Sequence, residues 1–389
     1  MNCTVRIINI PKSVVNKIFV VVPFVLYFLL YFLYYFSGAS GWILVEDKLM
    51  FILIPVLGFA LFASEFFKKN IRFLLAAFIL GILIICIYQI ARVSSESISF
   101  SEGSIKFSSF ISPGVSRFTW EQFSTLEHPT YLAINVLWVI ALLLFADEAL
   151  KLNIYIRNSL VIFFTGILLL LSVKAAILIL ILLFILYIFR NFRKSRIWRI
   201  ILIAAPVTVF VLLIYVRYNV RTMRKFDELK TRIFVEKVNW KDIDPRTRSC
   251  YTSLILIKEK PLFGVGLNIR DVLSQKYLQQ GFKTEADMKL NSHNQYLETQ
   301  LTFGIPGTIV LFWILISLFI KRKNSWSPPL ILPFLIIVMV SMMFESILVR
   351  QWGIMFFVLF YCILTMPEDN AIAAEEEYFL QNKKLKNSE

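Results

Sequence analysis

The sequence predicts an all-α, polytopic integral membrane protein with a large polar loop outside the spans. Three observations carry this. Hydrophobic residues make up 58% of the 389 residues and charged residues only 17%, against about a quarter charged in a soluble domain. Thirty-seven Phe and eight Trp exceed what one globular core of this length hides. The apolar residues also fall in runs of spanning length. A soluble globular enzyme, a disordered chain and a disulfide scaffold are all excluded.

A spanning helix needs about 20 mostly apolar residues, because the hydrocarbon core is about 30 Å thick and each helical residue rises 1.5 Å. Ten runs qualify, at 18–36, 43–64, 72–91, 129–147, 158–173, 175–190, 197–216, 296–320, 328–347 and 351–367. Runs five and six are almost continuous, so the chain must turn near Ser172-Val173-Lys174. The first run is long for the core of a signal peptide and reads as a signal anchor. Lys68, Lys69 and Arg72 follow span two, Arg190, Arg193, Lys194, Arg196 and Arg199 follow span six, and Lys321, Arg322 and Lys323 follow span eight. Positive charge marks the cytoplasmic side, and these alternate loops share it with both termini.

Four regions result: spans one to seven over 1–216, a large outer loop domain over 217–295, spans eight to ten over 296–367, and a cytoplasmic tail over 368–389. A second outer loop covers 92–128. Loops this long are usually functional or disordered.

The net charge of +15 would suggest nucleic acid on a soluble protein. Here cytoplasmic-loop cations account for it, and no basic helix or aromatic-basic platform stands outside the spans, so nucleic acid is excluded as a partner. The 217–295 loop holds sixteen Lys and Arg against nine Asp and Glu. Long loops escape the positive-inside bias, so this excess is available to an anionic ligand or to lipid headgroups. Cys3, Cys86, Cys250 and Cys362 share no metal-ligand spacing, and neither a structural disulfide nor a metal is expected.

The two histidines, His128 and His293, both fall at the outer boundary, ahead of spans four and eight. An imidazole there is a candidate proton acceptor because it titrates near neutral pH; helix-start residue is the plainer reading for each. Lys174 lies between two apolar runs, and Glu345 ends span nine with Arg350 five residues on. Such charges cost several kcal/mol unless paired or hydrated. Residues 246–260 read as a helix with Tyr251, Leu254, Ile255 and the Lys258 stem on one face, stopped by Pro261 and Gly264. Arg246 then stands near a helix N-terminus, where an anion is favoured, and its guanidinium fork suits a phosphate or diphosphate.

These segments together resemble the O-antigen ligase and polymerase superfamily of bacterial envelope glycosyltransferases. His128-Pro129-Thr130-Tyr131-Leu132 is similar to the family's His/Asn-Pro segment. Leu171-Ser172-Val173-Lys174-Ala175-Ala176 is similar to its Ser-x-Arg turn, with Lys174 in place of the arginine common in ligases. Arg246, followed by Pro261-Leu262-Phe263-Gly264-Val265-Gly266, resembles its Arg-led helix. His293-Asn294-Gln295-Tyr296-Leu297-Glu298 and Phe303-Gly304-Ile305-Pro306-Gly307 resemble its entry into the next span. Glu345 stands where members often carry an acid.

The resemblance implies a fold like that of the C-type glycosyltransferases, in the bacterial cytoplasmic (inner) membrane. It implies a periplasmic site, no cofactor, and a polyprenyl-diphosphate-linked glycan as donor. The acceptor is then a sugar hydroxyl of lipid A–core or another glycan. On that expectation His293 is the general base with Glu345 as its orienting carboxylate. Arg246 and then Lys174 hold the diphosphate, with Arg248 and Arg217 as helpers, and His128, Asn294 and Arg350 line the same outer face. Ligase is preferred to polymerase on the Arg246 spacing and the His-Asn block. A lipid-linked glycan transporter is the alternative from another class, disfavoured because the halves show no repeat and the charges avoid the midplane.

Overall fold

The computed structural model describes residues 12–36, 45–62, 65–101, 104–112, 115–191, 243–321 and 328–365. Span seven (197–216) and Arg217 lie outside them. The described chain is mostly helical: α1 (Lys12–Phe36), α2 (Met50–Phe62), α3 (Glu65–Ser97), α4 (Pro129–Phe145), α5 (Ile154–Leu171), α6 (Lys174–Asn191), α7 (Pro245–Glu259), α8 (Ile269–Gln279), α9 (Lys283–Asp287), α10 (Gln295–Lys321), α11 (Pro328–Phe344) and α12 (Gln351–Leu364).

Among the described residues, four helices are long and apolar enough to cross a membrane: Asn70–Ser97, Ile154–Leu171, Lys174–Asn191 and Gln295–Ile320. Val21–Phe36, Pro129–Phe145, Pro329–Phe344 and Gln351–Leu364 are shorter apolar helices. Span two is also shorter than its apolar run, with α2 starting only at Met50.

The all-α expectation needs one amendment. The 92–128 loop begins later than its sequence suggests, because α3 continues to Ser97. Two small antiparallel hairpins follow: β1 (Ile98–Ser101) with β2 (Ser104–Phe107), and β3 (Phe110–Ser112) with β4 (Val115–Ser116). Alternating Ser, Phe and Ile favour a pleated ribbon over a helix there.

Several boundaries follow from local chemistry. His128 is the N-cap of α4, its Nδ1 accepting from the Thr130 N–H at 3.4 Å, with Pro129 at the first helical position. Asn153 caps α5 through a 2.9 Å bond from the Tyr155 N–H. The expected turn between spans five and six is made by Ser172, at φ 53 in the left-handed region.

The chain divides into two compact units. One draws on 1–69, 252–332 and 346–389, the other on 70–251 and 333–345. In the first, α1 packs on α2 and α10, and α12 packs on α2. Its core is aromatic: Phe24 meets Tyr361 edge-on at 4.8 Å, Tyr27 meets Phe51 at 5.1 Å, and Tyr31 meets Phe303 at 4.6 Å. Such pairs add about 0.5–1.5 kcal/mol beyond their buried area. In the second, α4 is buried along almost its whole length and packs on α5 and α6. Its Trp138, fully buried, meets Phe334 at 5.3 Å.

Candidate functional site

The second unit contains the anion-binding candidates. Arg246 lies in the first turn of α7, where unpaired backbone N–H groups leave partial positive charge. Its Nη2 stands 3.7 Å from Glu345 Oε2, just beyond the last turn of α11. The carboxylate side chain is 11% exposed and the guanidinium 42%. A long contact to a half-exposed guanidinium is a weak ion pair. Part of the guanidinium therefore stays exposed beside the carboxylate. The sequence suggested Glu345 as a partner for His293; its contact with Arg246 is one that the sequence reading did not propose.

Arg248 follows two residues on in α7 and is half-buried, and Lys174 is the exposed first residue of α6. His128 is half-buried. It meets Trp120 edge-on at 5.6 Å and Tyr131 at 6.2 Å, so it has the helix-start role as well as an aromatic setting. Beside it, burial pushes the Glu127 carboxyl up to about 7, only partly offset by a hydrogen bond with Asn135. The loop before it is clamped by Arg92, whose Nη2 donates to the carbonyls of Gln122 at 2.6 Å and Phe123 at 3.0 Å.

The first unit holds His293. It is half-buried and adopts φ 48, a conformation uncommon outside glycine, though less so for His and Asn. Its N–H donates to Asn291 Oδ1 at 3.1 Å. Asn294 is the cap of α10, its Oδ1 accepting from Tyr296 N–H at 3.0 Å and Leu297 N–H at 3.1 Å. The His293 backbone is thus fixed immediately ahead of a helix N-terminus. Arg350 is exposed at the N-cap of α12.

Around these residues lies a buried polar network that the sequence reading missed. Glu298, one turn into α10, accepts from Ser292 Oγ at 2.6 Å and from Ser292 N–H at 3.1 Å. Gln295 accepts from the Leu348 N–H at 2.7 Å. Lys48, only 4% exposed, donates to the carbonyls of Leu348 at 2.9 Å and Val349 at 2.6 Å. These bonds satisfy the backbone where the chain breaks between α11 and α12. Lys48 and Glu298 each fall within an expected span, and an ionisable residue there is a functional candidate by default. That signal could have found them.

Residues 159–312 match the family model described as O-antigen ligase. The match takes in Lys174, Arg246, Arg248, His293 and Asn294, and leaves His128, Glu345 and Arg350 outside. An uncharacterized protein of Haemophilus influenzae is 27% identical over 148 residues, which are 36% of this chain and 37% of that protein. The chain therefore spans little more than a third of that relative's length. With four apolar helices long enough to cross a membrane among the described residues, this match is consistent with a bacterial membrane protein. The resemblance carried by its motifs is thus shown: over residues 159–312 the chain is similar to the O-antigen ligase superfamily.

Proposed function

We propose that this protein is a membrane glycosyltransferase. It moves a glycan from a polyprenyl diphosphate carrier onto an acceptor sugar hydroxyl, with lipid A–core as the acceptor class, at the periplasmic face of the inner membrane. The observation that carries the proposal is Arg246, at the start of α7 and 3.7 Å from Glu345, inside the stretch that matches the O-antigen ligase family. The leaving diphosphate gains negative charge as the glycosidic bond breaks, and Arg246 neutralises it, assisted by Lys174 and Arg248. One such group contributes about 2.7–4 kcal/mol to a transition state. His293 accepts the proton of the attacking hydroxyl. Direct attack inverts the anomeric centre. Buried Glu298, behind the Ser292 turn, supports the loop that holds the imidazole.

The polymerase reading is the second one. It is favoured by Lys174, which keeps a cation where the family's ligases often carry arginine but lacks the bidentate fork. A deletion strain separates the two: loss of a ligase leaves long glycans on the carrier lipid, and loss of a polymerase leaves single repeats on the acceptor. Complementation with His293→Ala then tests the base, expected to cut transfer by about 10²–10⁴ with normal expression. Normal surface glycan from that strain overturns the assignment.

A further inference from the structure

The turn that follows α7 bears on α10 in an unusual way. Val265 N–H donates to the Leu301 carbonyl at 2.6 Å and Gly266 N–H to Thr302 at 3.1 Å, while Ile305 N–H donates back to Leu262 at 3.1 Å. Gln300 Nε2 donates to the Pro261 carbonyl at 2.8 Å, and Tyr34 of α1 donates to the Phe263 carbonyl at 2.6 Å. The backbone of Pro261–Gly266 is therefore fixed against residues 300–305 of a helix long and apolar enough to cross a membrane.

That register sets its depth. From Ile305, just past the break at Gly304, to Lys321 is about 17 helical residues, or about 25 Å, a little less than the about 30 Å of hydrocarbon. The turn thus lies at, or just inside, the outer edge of the apolar layer. Val265 packs against the apolar core, but at the tip of the turn Leu262 is 59% exposed and Phe263 68%. Ile305 and Ile309, on the adjoining stretch of α10, are exposed as well. Helix α7 repeats the pattern. It buries Leu256 in the apolar core but leaves Tyr251 and Leu254 exposed. Lys258 and Lys260, both exposed, flank the tip where their ammonium groups reach anionic headgroups.

We propose that the Leu262–Phe263 tip is a membrane wedge. It inserts among the acyl chains of the outer leaflet, continuing the lipid-facing surface of α10, and tethers the chain from residue 252 to α9 to the bilayer at a fixed height. This goes beyond the transferase reading and holds or fails independently of it.

The test uses the full chain in phosphatidylethanolamine–phosphatidylglycerol vesicles, with the native cysteines replaced and a nitroxide placed at Phe263→Cys, Leu262→Cys or Lys289→Cys. Lys289 is exposed and ion-paired with Asp271 at 2.7 Å, so it reports the aqueous face of the same stretch. Collision with oxygen, which concentrates in acyl chains, is expected to exceed collision with a water-soluble nickel chelate at 262 and 263. The order is expected to reverse at 289. Nickel exceeding oxygen at the tip places it in water and overturns the proposal. A tip shielded from both is covered by protein, which overturns it too. If Phe263→Cys does not fold, Leu262→Cys gives the same reading.

Discussion

Gly304→Ala is the sharpest test of how the Pro261–Gly266 turn is fastened to α10. Gly304 adopts φ 66 and ψ −149 inside that helix, a region almost reserved for glycine that costs other residues about 1–3 kcal/mol. A methyl group there would lie 2.1 Å from the Leu262 carbonyl oxygen and 2.6 Å from the Phe263 nitrogen. Both are backbone atoms, so no side chain can swing aside. The crossing has to open, losing the Ile305–Leu262 bond, worth about 1 kcal/mol. The combined cost is about 2–4 kcal/mol, localised at the crossing. Hydrogen exchange reads such local opening directly. At 1.4 kcal/mol per tenfold, the amides of Val265, Gly266 and Ile305 should exchange about 30- to 700-fold faster. Gly81, in α3, has nothing within 4 Å of an added methyl, so Gly81→Ala is the control and should leave those amides unchanged. Parent-like exchange at all three amides in Gly304→Ala refutes the close-approach argument.

Three further outcomes are expected. Ser292→Ala removes a hydrogen bond to the buried Glu298 carboxylate and should destabilise the protein by about 1.5–3 kcal/mol; an unchanged melting temperature in detergent contradicts the network. Arg246→Lys keeps the charge but loses the fork, and glycan transfer should fall well below the parent level; near-normal transfer argues against bidentate phosphate binding. Glu127 has its pKa raised from 4.5 to about 7 by burial. The folded chain therefore holds this proton more tightly than the unfolded one, and stability is lost as pH rises from about 4.5 through 7. Glu127→Gln should remove that slope, gaining up to about 3 kcal/mol on the parent between pH 5 and pH 8; parallel melting curves at the two pH values refute it.

Where a feature depends on neighbours along the chain, it was legible in advance. The Ser172 turn, the cap at His128-Pro129, the helix led by Arg246 and its stop at Pro261 all rest on local chemistry that a reader of residues can follow. So does the apolar character of the helices, which needs only their length and composition. The hairpins of the 92–128 loop were missed because four-residue strands have too little periodicity to stand out from a polar loop.

Other features were decided only by the fold, because they join residues far apart in sequence. Arg246 and Glu345 are 99 positions apart. Lys48 reaches carbonyls 300 and 301 positions away, because a buried ammonium must find acceptors and a broken helix leaves carbonyls without donors. Composition could say that Lys48, Glu298 and Glu345 needed partners; only three-dimensional packing could say which. Helix α7 shows the same limit. Its pattern of apolar residues was readable, but that Leu256 is buried while Leu254 is exposed, and that Gly264 and Gly304 bring two backbones together, depends on the packing. No local rule of sequence contains that distance.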